Sequence, residues 1–90
     1  MNGSMAKSDF ENIFLAEEGQ DFTIIRNGAD AGIVRGIVNL GLIQCKAESD
    51  IRPGDLLRSQ TKNVTYAVGK VTYETVDSVR TCLEAHVSSV

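Results

Sequence analysis

No tryptophan occurs in this chain of 90 residues, and proline and histidine occur once each, as Pro53 and His86. Each scarcity removes a class of function. A lone histidine cannot form a histidine-based metal cluster. Its one partner by spacing, Cys82, would stand about 13 Å away on a strand, too far to share an ion. No Ser-His-Asp or Cys-His spacing suggests nucleophilic catalysis, so neither a catalytic site nor a cofactor or metal site is expected. Two cysteines, Cys45 and Cys82, lie far apart in sequence; one disulfide between them is open, but nothing marks a secreted scaffold, and reduced core or surface thiols are the expectation. Three phenylalanines and two tyrosines, scattered along the chain, make no platform for stacking bases.

Long apolar runs are also missing. No stretch approaches the ~20 residues that span a bilayer, and residues 1–20 lack the basic–apolar–small order of a secretory leader. No membrane partner and no secretion are therefore expected. A basic excess is absent too: the formal charge is −3. Five acids (Asp9, Glu11, Glu17, Glu18, Asp21) face Lys7 alone in the first 21 residues, and the remainder is near neutral. That pattern carries no nucleic-acid footprint.

What is present is β-branched and patterned. The stretch Asp50 to Val87 organises the rest: a loop through Pro53-Gly54-Asp55 sharpens into a short strand, and two longer strands follow as a hairpin. Val79, Thr81, Leu83, Ala85 and Val87 alternate with Arg80, Cys82, Glu84 and His86, a half-buried strand pattern. Val64, Tyr66 and Val68 continue out of phase in Val71 and Tyr73, which predicts a bulge at Gly69-Lys70. Asp55, directly after Pro53-Gly54, is expected to hold that loop by accepting backbone hydrogen bonds.

Earlier in the chain, Phe22 to Arg26 is a β-branched run ending in Asn27-Gly28, and Ala29 to Gly32 is expected to lengthen that turn into a loop. The hydrophobic phase flips at Gly41-Leu42, which requires either a turn or a glycine-kinked bulge. Ser8 and Glu11 fit a capping box, so a helix is expected over about Ser8 to Glu17, with Phe10, Ile13 and Phe14 on one apolar face. Met1 to Ser4 has the look of a cloning remnant, and residues 1–7 are expected to be disordered. Residues 8–90 would form one domain: mainly β, a small, partly open antiparallel barrel of five to six strands with one short N-terminal helix.

The motifs Ile51-x-Pro53-Gly54-Asp55-Leu56, Tyr66-x-Val68-x-x-Val71 and Leu83-Glu84-Ala85 give the chain a resemblance to small structural proteins of tailed phages and prophages. The type is the head–tail joining, stopper or tail-completion protein. The resemblance covers roughly Ile51 to Val87. It implies a compact barrel that serves as a ring-forming adaptor between portal vertex and tail, in the virion or the host cytoplasm. Such proteins commonly carry a long channel-lining loop, and only residues 27–32 or 48–54 could take that part here. The same elements also occur in SH3-like barrels. Two readings therefore stand: a non-enzymatic adaptor that joins copies of itself or neighbouring virion proteins, and a monomeric module that binds a protein or peptide, including a host factor it would inhibit. For either, the contact residues expected are Phe10, Ile13 and Phe14 on the helix and Asn27, Gly28 and Asp30 in the following turn. Strand edges left open by a partial barrel would add pairing surface.

Overall fold

Three of the connections between strands are two-residue turns in which both central residues lie at positive φ, and they set the architecture. The pairs are Asn27 (55°) and Gly28 (77°), Leu40 (46°) and Gly41 (83°), and Asp77 (49°) and Ser78 (66°). Turns of this hand match the right-handed twist of the strands they join. In the computed structural model, which describes residues 2–90, they link β1 (Gln20–Arg26) to β2 (Ala29–Asn39), β2 to β3 (Leu42–Cys45), and β5 (Thr65–Val76) to β6 (Val79–Ser89). The short β4 (Leu56–Ser59) precedes β5.

Two three-stranded meanders result, β1-β2-β3 and β4-β5-β6, and they join along both sides. Strand β1 pairs with β4 from Phe22↔Ser59 to Ile25↔Leu56, and β3 pairs with β6 from Leu42↔His86 to Cys45↔Leu83. The six antiparallel strands therefore form a closed barrel. The mainly β fold with one N-terminal helix is as the sequence indicates, but the barrel is closed rather than partly open. The β1–β4 pairing supplies the closure.

Inward-facing residues of every strand fill the barrel: Phe22, Ile43, Cys45, Leu57, Leu83 and Ala85 are fully buried, and Val34 of β2 and Val68 of β5 are buried beside them. Ile51 enters the core from the loop between β3 and β4. Gly36 makes the packing possible, because a Cβ there would lie 2.6 Å from Ile43 Cγ2 and 3.1 Å from Cys45 Sγ. The rings of Tyr66 and Phe22 meet edge to face, with centroids 6.2 Å apart.

The predicted bulge at Gly69 is present as a register shift between Val68 and Lys70. The phase flip at Gly41-Leu42 is a tight turn. The expected loop over Ala29 to Gly32 is not there: β2 begins at Ala29, directly after the Asn27-Gly28 turn. Ala31 is bulged out between the pairs Ile24↔Gly32 and Ile25↔Asp30, and the Gly32 amide donates to Asp30 Oδ1 at 2.8 Å to hold that bulge.

Candidate interaction surface

The helix starts earlier than its capping pattern indicates. Segment α1 (Gly3–Asp9) runs through a π-helical turn (Phe10–Phe14) into α2 (Leu15–Glu18) with αR backbone at the junctions Asp9, Phe10, Phe14 and Leu15. Its N-cap is Asn2, whose Oδ1 accepts from the Met5 amide at 2.8 Å. Residues 3–7 are thus helical, not disordered. Ser8 and Glu11 form no capping box, since they lie mid-helix. Ser8 Oγ accepts from the Asn12 side chain at 3.0 Å, and Glu11 pairs with Lys7 at 2.8 Å.

The π turn decides which side chains face the barrel. The Leu15 amide donates to the Phe10 carbonyl, five residues back, so one extra residue is wound into the turn. An added residue rotates everything after it by about 100°. Leu15 therefore takes the barrel-facing position in line with Phe10 and is 2 % exposed, while Phe14 and Ile13 swing outward to 52 % and 46 %. The expected apolar face of Phe10, Ile13 and Phe14 is split: Phe10 is half-buried and the other two are largely in solvent.

Three further contacts fix the helix without using Phe14. Gly3 is buried against the β5–β6 turn, where a Cβ would meet the Val76 carbonyl oxygen and, at 2.5 Å, Val79 Cβ. Lys7 reaches Glu48 of the β3–β4 loop at 2.7 Å. Arg35 of β2 donates to the carbonyls of Leu15 (2.9 Å) and Ala16 (3.1 Å). Both lie among the last carbonyls of the helix, that of Leu15 also accepting the Gly19 amide at 3.0 Å, and a cation is favourable there. Glu17 and Glu18 in that last turn are not, so Arg35 is what steadies the C-terminus.

The helix crosses the barrel like a strap with a groove on either side. One groove, about 550 Å³, is walled by Phe10 and Phe14 above and by Ile37, Gln44, Glu74 and Cys82 below. The other, about 580 Å³, holds Leu15, Ile33, Val34, Arg35 and Lys46. Ile33 is 66 % exposed. At the β2–β3 turn, Leu40 is 98 % exposed and also strained, since leucine is disfavoured at positive φ.

Asn27, Gly28 and Asp30 are exposed at the tip of the β1–β2 hairpin. Seven residues of extended chain, roughly 23 Å, separate Asn27 from Gln20 beside the helix end. The fold does not bring the two predicted sets together, and neither Asn27, Gly28 nor Asp30 lines either groove.

Asp55 has the structural part assigned to it, and a partner besides. It is 2 % exposed, and Oδ2 accepts from the Arg52 amide at 2.9 Å. Arg26, at the end of β1, donates to both carboxylate oxygens, through Nε at 3.0 Å and Nη2 at 2.8 Å. This fork with Arg26, helped by the Arg52 amide, holds the Asp55 carboxyl below its ordinary value of 3.8. Arg26 also reaches the Asp50 carbonyl at 3.1 Å, so one guanidinium ties the loop to the barrel. Nothing in the spacing of Arg26 and Asp55 marks them as partners; only barrel closure places them side by side.

The two thiols are free and buried. Burial pushes Cys45, in the core, up to about 12, and Cys82, beneath the helix, up to about 11. His86 faces outward on β6 and shares a 2.7 Å hydrogen bond with Thr72 Oγ1. Among the described residues no helix is long and apolar enough to cross a membrane.

Sequence reasoning missed Leu15, Ile33 and Leu40. A π turn leaves no periodic signature, and exposure at a turn cannot be read from hydrophobicity. No protein-family model, curated protein or solved structure matches the chain.

Proposed function

We propose that this chain is a non-enzymatic structural adaptor that assembles through its helix with copies of itself or with neighbouring proteins of a ring. In keeping with the motif resemblance, we place it at the head–tail joint of a tailed phage or prophage. The observation that carries the reading is Phe14. Leu15, Gly3, Lys7 and Arg35 already fasten the helix to the barrel. A half-exposed phenylalanine beside Ile13, over a groove, is not among those contacts. Isolated exposed apolar residues are ordinary, but Ile13 and Phe14 stand side by side on the strap, Phe14 over a groove. Burial of such a set, with Phe14 as anchor, is how an interface core is built.

Native mass tests this. The unaltered chain is expected to sediment as an assembly of more than two copies, or to do so once its neighbour is added. Phe14→Asp should reduce that mass to two copies or one while the far-ultraviolet spectrum stays unchanged. A chain that remains monomeric at every concentration and captures an unrelated peptide in its groove would support the binding-module reading instead.

A further inference from the structure

Closure of the barrel accounts for most strand edges but leaves one stretch of β5 unpaired. Strand β4 covers β5 only at Thr65, Tyr66 and Ala67. The loop then adds two bonds at Val68, from its amide to the Asp55 carbonyl at 2.9 Å and from the Gly54 amide to its carbonyl at 2.8 Å. Beyond Val68, β5 continues to Val76 with β6 on one side. Among the described residues, no backbone group pairs with its other side.

That edge is only partly protected: Lys70 stands on it, and register shifts at Val68/Lys70 and Glu74/Thr75 bound it. It carries no proline, and Val71 and Tyr73, packed against the core, point no charge inward. Thr72, bonded to outward-facing His86, shows that the even-numbered residues face out. Lys70 and Glu74 are the two exposed charges of the segment, four residues apart on that outer face.

We infer that residues Lys70–Glu74 of β5 pair antiparallel with the same residues of a second copy, about a two-fold axis through Thr72. In this register Lys70 lies opposite the partner's Glu74, and Glu74 opposite the partner's Lys70. Val71 meets the partner's Tyr73 on the core side, and Thr72 meets its own copy at the axis. Opposite charges and aromatic–β-branched pairs are the favourable cross-strand neighbours of a sheet. Symmetric registers two residues away fail on charge, one placing Lys70 against Lys70 and the other Glu74 against Glu74, and registers one residue away set each charge against an uncharged residue and lose both ion pairs. An isologous contact of this kind closes on itself and yields a dimer. The β5 edge is distinct from Phe14, although Glu74 also walls the groove below that ring, which is why the charge variants are read in both backgrounds; the inference takes from the adaptor reading only that the chain meets copies of itself.

Sedimentation equilibrium of Phe14→Asp and of the unaltered chain, each with charge variants of β5, separates the two contacts. In the Phe14→Asp background a dimer is expected. Adding Lys70→Glu or Glu74→Lys alone should weaken it at least about tenfold, because both cross-strand charge pairs turn repulsive. An equimolar mixture of those two variants should restore the dimer, since each strand then faces its opposite. The double variant Lys70→Glu/Glu74→Lys should pair as the original does, which also controls for folding. A monomer in the Phe14→Asp background, or a dimer indifferent to all these changes, overturns the β5 pairing and leaves the adaptor reading standing. If Phe14→Asp keeps the full native mass, the helix contact fails, and the charge series still reads β5 on its own.

Discussion

Asp55 and Phe14 are each in the wrong place by composition alone, a carboxylate in the core and a phenyl ring in water. The difference between them is that one is answered within the chain. Arg26 and the Arg52 amide satisfy both oxygens of Asp55, and the loop end of the barrel is complete. Around the helix the anchoring is equally complete, yet Phe14 and Ile13 remain outside it. A buried charge with its partners present is a fold device. An exposed aromatic residue with its own helix already fastened marks where a partner from outside belongs.

The comparison breaks most visibly at Asp55. Asp55→Ala should cost about 3 kcal/mol in denaturant unfolding, because it strands the Arg26 fork and an amide of the loop. It should leave native mass unchanged once the protein is folded. Leu15→Ala is expected to cost about 2–3 kcal/mol, the lower part of the usual range for leucine, since the site lies under a strap that can settle. Leu40→Asn should gain about 0.5–1 kcal/mol, as asparagine accepts positive φ and leaves no apolar group in solvent. A loss of assembly in that variant would place Leu40 among the contacts. Phe14→Asp should change unfolding free energy by less than about 0.5 kcal/mol, as suits an exposed site, and still disrupt assembly.

Acid sharpens the same contrast. The Asp55 carboxyl has a lower value in the fold than in the unfolded chain, so its stabilisation is complete above about pH 4. It is lost as pH falls through the depressed folded value. Midpoints of urea unfolding between pH 5 and pH 2 should therefore fall for the unaltered chain, and fall less for Asp55→Asn.

Much of the barrel was legible because strand alternation and turn chemistry are local. Val79 to Val87 alternates cleanly, Asn27-Gly28 announces a tight turn, and the slip from Val68 to Val71 requires a bulge. Closure was not legible, since it depends on β1 meeting β4 across 30 residues of chain. The helix misled in a specific way. Ser8 and Glu11 have capping spacing, but Asn2 is the residue free to cap, and the inserted turn at Phe10–Phe14 moves Leu15 into the buried position that simple periodicity gives to Phe14. Of the predicted contact residues, Ile13 and Phe14 are presented to solvent beside a groove, whereas Asn27, Gly28 and Asp30 stand apart at a hairpin tip and form no joint surface with them.

The central claim is that Phe14 is unneeded by the fold and needed by the assembly. Sedimentation velocity of the unaltered chain and of Phe14→Asp, at matched concentration and with circular dichroism on both, tests it directly. The account predicts an assembly of more than two copies for the first, two copies or one for the second, and superimposable spectra. Equal masses for the two proteins would contradict it.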